Sequence, residues 1–300
     1  MSPVDLLGPD PQRMARDVRL VASDLDGTLI GPDFGFRPRT REALDALEAA
    51  GVPVVFVTGR PSRWLHPLRD LHALREAVAE QVRPIGAVIC SNGALVYDLA
   101  SDTVLSSSTL SADTGREAVA RLRAAAPGVL FSAETLRGVA AEPQWLGTDQ
   151  TRIRNPRVGP LEEVLEDDDR IVKLLARHHE SAPQVFVDLV RRTVGDLTSV
   201  THSVPQAAMA ELARHGLSKA EALASYCAER GVDRSEVLAF GDMTNDLQML
   251  QWAGYGYALA SGDPSVVAAV RRTAPAFDQD GVAQVIEQLL AVRAGLAPGD

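Results

Sequence analysis

Short apolar runs that stop at polar turn residues set the rhythm of the first third of the chain. Leu20, Val21 and Ala22 lead into "DLDGT", and "VPVVFVT" and "IGAVICSNG" repeat the pattern further on. Runs of this length, apolar at successive positions and closed by Gly, Thr, Ser or Asn, predict strands buried on both faces. Between the first two, "TREALDALEAAG" places Leu44, Leu47 and Ala50 on one helical face before a stopping Gly51. A second helical stretch is expected at about 61–80. Strand and helix alternating in this way imply a parallel sheet with helices on both sides. The rhythm returns near the C-terminus: "SKAEALASYCAERG", "NDLQMLQWAG" and "DGVAQVIEQLLAVRAG" read as helices, "EVLAFGD" and "YGYALA" as strands.

The intervening residues read differently. A helix ("TGREAVARLRAA"), a strand ("GVLFSAET"), a polar stretch, an acidic run ("EEVLEDDDR"), a strand ("RIVKLLAR"), a helix ("APQVFVDLVRRT") and a strand ("LTSVTHS") follow one another. Such an order predicts a separate α+β unit inserted into the α/β one. The fold class expected is therefore α/β, a Rossmann-like doubly wound parallel sheet with an inserted α+β cap. The expected bounds are 1–111 and 206–300 for the core and 112–205 for the insertion. The acidic run is expected to be a solvated helix end and loop, and the first seventeen residues a loose arm.

Composition narrows the partners. With 300 residues, 46% of them apolar, the chain can bury a substantial core, and a formal net charge of −10 disfavours nucleic acid, which needs a basic stripe. The longest apolar run is far shorter than a bilayer span, and the N-terminus lacks the basic-then-apolar order of a signal peptide. A cytoplasmic protein, monomeric or a weak homodimer, with no membrane partner is expected. Cys90 and Cys227 read as reduced core thiols. Of the thirty basic residues only Lys173 and Lys219 are Lys, so a background dominated by Arg keeps Lys in two places.

In a doubly wound sheet the parallel strands deliver their carboxyl ends to one edge, where ligands bind. Four polar clusters follow predicted strands and so should meet there: Asp24 with Asp26, then "TGR" (Thr58, Gly59, Arg60), then "SNG" (Ser91, Asn92, Gly93), then "GDMTND" (Asp242, Asn245, Asp246). Like charges about 4 Å apart repel by about 4 kcal/mol per pair at an effective dielectric of 20. A cation is required among them, and oxygen donors without His or Cys select Mg²⁺. Lys219, after "HGLS" at a helix start, supplies a second, compact positive charge. Metal, Lys, hydroxyl and a carboxylate free to attack are the parts for phosphoryl transfer through an aspartyl-phosphate, with Asp24 as nucleophile and Asp26 as general acid and base.

The set "DLDGTL", "TGR", "SNGALVYD", "GLSKAEAL", "GDMTNDLQML" and "DQDGVAQVI" resembles the haloacid dehalogenase-like (HAD) hydrolase superfamily, and within it the Cof-type (class IIB) phosphatases. The resemblance implies that Asp24 forms the phospho-enzyme, that Asp26 adds its backbone carbonyl to the Mg²⁺ ligands, and that Asp242 ligates the metal with Asp246 and Asn245 in support. It implies that Thr58 and Gly59 hold the phosphoryl group, that Lys219 neutralises it together with Asp24, and that Arg60 and Asn92 are substrate or phosphate contacts. The substrate implied is a small phosphorylated metabolite such as a sugar phosphate, nucleotide or cofactor phosphate. Ala220 and the turn in "ALASGDPS" depart from the family's usual residues. A phosphomutase would share the first step, while a phospho-accepting switch would have no need of Asp26. The insertion, which carries none of these groups, is expected to supply substrate selection.

Overall fold

The computed structural model describes residues 5–65, 67–69, 71, 87–146, 155–202, 204 and 206–295. Most of the helical stretch expected at 61–80 lies outside them, as do Arg152 and Arg154 of the polar stretch. The chain divides into two compact units, Met1–Leu105 with Ser218–Asp300, and Ser106–Leu217.

The first unit is built on an eight-stranded sheet. In spatial order its strands are Arg272–Ala274, Tyr255–Leu259, Val237–Gly241, Leu20–Ser23, Val54–Val57, Ala87–Cys90, Leu95–Asp98 and Thr103–Ser107. The first six run parallel, with Leu20 opposite Val237 and Val21 opposite Val54, and the Leu95–Asp98 strand turns back antiparallel. Leu20–Ser23, Val54–Val57 and Val237–Gly241 are buried at every position, which is why they read as continuous apolar runs. Against one face pack the helices Lys219–Glu229 and Leu247–Trp252, through Leu223, Cys227, Met249 and Leu250. The helix Pro38–Ala49, which buries Ala43, Leu44 and Leu47, packs against Gly281–Ala294. Cys90 and Cys227 are both buried and are not joined in a disulfide.

Residues 5–17, the described part of the N-terminal segment, are not a loose arm. Pro11–Asp17 is a helix whose start is capped by Asp10, with Met14 and Ala15 buried. Tyr257 donates its hydroxyl hydrogen to the Leu6 carbonyl (2.7 Å) and Tyr255 to Asp17 (2.8 Å). Seven residues are too few for a helical period to stand out in the sequence, and tertiary packing supplies the stability.

The second unit is a seven-stranded sheet that runs Thr198–Thr201, Met209–Arg214, Arg170–Arg177, Leu130–Thr135, Gly138–Ala141, Arg157–Val158, with Leu110–Ser111 paired to the start of Arg170–Arg177. Helices Ala112–Ala125 and Pro183–Val194 bury Val119, Leu122, Phe186 and Val190 with Phe131, Leu174 and Leu212 of the sheet. Its bounds are wider than 112–205 because Leu110–Ser111 and Met209–Arg214 both pair with Arg170–Arg177. The carboxylates of the acidic run are exposed except that of Asp169, which is buried and bound by Arg137 and Arg157. Lys173 has a local explanation, a buried ion pair with Glu211 at 2.7 Å within this sheet. Among the described residues no helix is long and apolar enough to cross a membrane.

Candidate active site

Because the central strands are parallel, the residues that follow them share one edge of the sheet. Asp24 continues the ladder, donating its N–H to the Phe240 carbonyl (3.0 Å), and Thr58 does the same toward Ile89 (2.8 Å). Asp242 follows Val237–Gly241 directly. Lys219 is the first residue of its helix, whose start is fixed by Ser218 accepting the Glu221 N–H. Gly93, at φ +106°, lets the "SNG" turn lie against that same helix start: a Cβ there would stand 2.7 Å from the Ser218 carbonyl oxygen.

Lys219 joins the cluster together. Its Nζ lies 2.5 Å from Asp24 Oδ1 and 2.6 Å from Asp246 Oδ1, and the side chain is 1% exposed. Asp246 uses its other oxygen to accept the backbone N–H groups of Asp242 and Met243 (3.1 and 3.0 Å), which anchors the turn that carries Asp242. Asp242 accepts a hydrogen bond from the Thr28 hydroxyl (3.0 Å). Carboxylate oxygens of Asp24, Asp242 and Asp246 all lie within 4.8 Å of one another.

Three buried carboxylates against one ammonium leave two formal negative charges. Burial therefore pushes Asp24 well above the ordinary carboxylate range, against the pull of Lys219. Burial and the neighbouring Asp246 push Asp242 up to about 7. Burial works against the Lys219 charge, but Asp24 and Asp246 more than offset it and raise its pKa. A cluster that holds extra protons for want of positive charge, with only oxygen donors, fits a hard divalent cation. Asp24, Asp242 and Asp246 are the side chains that would hold it.

The remaining residues singled out in the sequence fall into two pairs of contacts. Asn245 donates to Asn92 (3.1 Å), and Asn92 donates its backbone N–H to the Thr58 carbonyl (3.0 Å), which ties three of the four clusters together. A Cβ on Gly59 would lie 3.1 Å from Asn92 Oδ1. The Thr58 hydroxyl accepts the Arg60 N–H (3.1 Å), leaving its own hydrogen to donate. The Asp26 carboxylate is turned to the Arg60 guanidinium, so only its backbone carbonyl would serve a metal.

Two supports for Asp242 lie outside the residues expected to form the site. One is Thr28. The other is the turn in "ALASGDPS", where Asp263 donates its N–H to the Asp242 carbonyl (2.7 Å). Gly27 is the tightest point: at φ +81°, its Cβ would stand 2.3 Å from Asp242 Oδ2. Gly27→Ala is expected to displace the Asp242 carboxylate, weaken Mg²⁺ binding and lower kcat more than about tenfold, with about 1–2 kcal/mol of added backbone strain. A Mg²⁺ titration of the variant beside the wild type checks this, and unchanged affinity would contradict it.

A parallel sheet with such a carboxylate and lysine cluster at its strand ends carries the parts for phosphoryl transfer. The sequence model of the haloacid dehalogenase-like hydrolases matches residues 21–286, and the chain belongs to that family. It is 28% identical to the pyridoxal phosphate phosphatase YbhA of Escherichia coli (strain K12), over 89% of this chain and 97% of that protein. It is 27% identical to the 5-amino-6-(5-phospho-D-ribitylamino)uracil phosphatase YitU of Bacillus subtilis (strain 168), over 91% and 98%. The fold matches that of the phosphatase BT1666 from Bacteroides thetaiotaomicron (TM-score 0.72, 24% identity, 92% of this chain and 96% of that one). It also matches the HAD subclass IIB sugar phosphatase BT4131 (TM-score 0.74, 19% identity, 92% and 100%). The chain is a HAD-type phosphoric monoester hydrolase.

Proposed function

We propose that the protein is a Mg²⁺-dependent phosphatase that hydrolyses small phosphate monoesters through an aspartyl-phosphate on Asp24. The observation that carries this reading is the buried Asp24–Lys219–Asp246 contact with Asp242 beside it, at the strand edge where a parallel sheet binds ligands. The Asp24 carboxylate oxygen attacks phosphorus while Asp26 gives a proton to the departing ester oxygen. In the second half Asp26 takes a proton from water, whose oxygen attacks the phosphorus; the bond to Asp24 breaks and phosphate leaves. Lys219 holds Asp24 in place and balances the charge of the phosphoryl group, and the Thr58 hydroxyl donates to a phosphoryl oxygen. The divalent cation, when bound, offsets carboxylate and phosphoryl charge. The substrate is a small phosphorylated metabolite. The names of the relatives make pyridoxal phosphate and 5-amino-6-(5-phospho-D-ribitylamino)uracil the first two compounds to assay. A screen of phosphorylated metabolites for released phosphate tests the substrate class, and release from none of them would sink it.

The metal is expected to leave a signature in pH dependence. Asp242 has its pKa raised from 3.8 to about 7 in the folded, metal-free chain. A carboxylate raised on folding contributes stability at pH below its unfolded value and loses it as pH rises through about 7. The metal-free melting temperature should therefore fall between pH 5 and 8, in the part due to this group. Mg²⁺ binds the ionised site, so its stabilising shift should be larger at pH 8 than at pH 5.5. Thermal melts with EDTA and with Mg²⁺ at both pH values measure this, and an equal shift at both would contradict it.

A further inference from the structure

Arg60 engages both oxygens of Asp26: Nε lies 2.7 Å from Oδ2 and Nη2 2.6 Å from Oδ1. The two partners differ in how firmly they are held. The Arg60 side chain is 9% exposed and the Asp26 side chain 47%. The remaining guanidinium nitrogen, Nη1, donates to the Trp64 carbonyl (3.1 Å), and the guanidinium carbon lies 4.7 Å from the centroid of the Phe34 ring. The Arg60 backbone is fixed as well, with its N–H on the Thr58 hydroxyl (3.1 Å) and its carbonyl accepting the Ser91 N–H (2.9 Å). Arg60 is thus a fixed fork, and Asp26 is the exposed member docked on it. With one lone pair of each oxygen engaged, the Asp26 carboxylate is held in one orientation, and each oxygen keeps a second lone pair for a proton.

We propose that Arg60 is the positioning residue of Asp26, holding its carboxylate in the orientation used for proton transfer. This rests on the acid and base role given to Asp26 above. A rigid planar fork aims a carboxylate as an ammonium on a flexible stem does not. Phe34, half exposed, stacks on the guanidinium.

The test is a double-mutant cycle on the full-length protein with an alkyl phosphate as substrate, kcat and KM being read separately. Arg60→Lys is expected to lower kcat about tenfold with KM changed less than about threefold. In an Asp26→Asn background the same substitution should change kcat less than twofold. Phe34→Ala, at an exposed position, should lower kcat about threefold and also lose its effect in Asp26→Asn. This second variant keeps the test intact if Arg60→Lys folds poorly. Equal effects of Arg60→Lys and Phe34→Ala in both backgrounds, or an effect confined to KM, would overturn the positioning role and leave the acid and base role standing. Near-wild-type kcat in Asp26→Asn alone would overturn the acid and base role, and the positioning role with it.

Discussion

Asp24→Asn should lower kcat by at least about a thousandfold, about 4 kcal/mol of barrier, while the protein stays folded. The amide keeps the shape of the side chain but is a poor nucleophile toward phosphorus, and hydrolysis of phosphate monoesters without a catalyst is among the slowest of reactions. Stability should move the other way. Asp24 is one of three buried carboxylates around a single ammonium, and burial holds its pKa well up, so its ionised form is costly in the absence of metal. Removing that charge leaves Lys219 its contact with Asp246 at 2.6 Å. The metal-free variant should therefore melt no lower than the metal-free wild type. Steady-state kinetics and thermal melts together check both halves. Asp24→Asn retaining a tenth of wild-type turnover would rule out the nucleophile.

Lys219 is expected to matter for both folding and chemistry. Lys219→Met leaves Asp24 and Asp246 buried with no counter-charge, and breaking a buried ion pair from one side costs about 3–5 kcal/mol. That is a large fraction of the about 5–15 kcal/mol that keeps a domain folded, so urea denaturation without metal should show a clear loss. Lys219→Arg keeps the charge, but the larger planar guanidinium has to enter a fully buried place where Nζ now contacts two carboxylates within 2.6 Å. A loss of turnover beyond about tenfold is expected for Arg. Near-normal kinetics in Lys219→Arg would reduce the lysine to a source of positive charge.

The sheet core was readable because strands buried on both faces leave uninterrupted apolar runs, and because each run ends in the polar residues that gather at one edge. Leu20–Ser23, Val54–Val57, Ala87–Cys90 and Val237–Gly241 all fall where "RLVAS", "VPVVFVT", "IGAVIC" and "EVLAFGD" place strands. Lys219 was marked by rarity in an arginine-rich chain, and its position at a helix start agrees with the "GLSKAEAL" reading. Met209–Arg214 was not readable: "MAELAR" is composed of good helix formers, and pairing with Thr198–Thr201 and Arg170–Arg177 overrides that propensity. The contact of Arg60 with Asp26 joins side chains 34 residues apart, and nothing in either motif signals it. Nor did the sequence assign Thr28 a role or link the turn at Gly262 and Asp263 to Asp242, because support through a hydroxyl and a backbone N–H carries no charge pattern.

Covalent catalysis is tested most directly in Asp26→Asn, where loss of the base should slow hydrolysis of the phospho-enzyme more than its formation from an aryl phosphate with a good leaving group. Rapid mixing of that variant with 4-nitrophenyl phosphate and Mg²⁺ should release a burst of nitrophenol close to one equivalent per active site. Quenching during the burst and reducing with borohydride should convert the phosphorylated carboxylate to an alcohol, found by peptide mass spectrometry at the position of Asp24. No burst, or a phosphoryl group found on a residue other than Asp24, would contradict the aspartyl-phosphate.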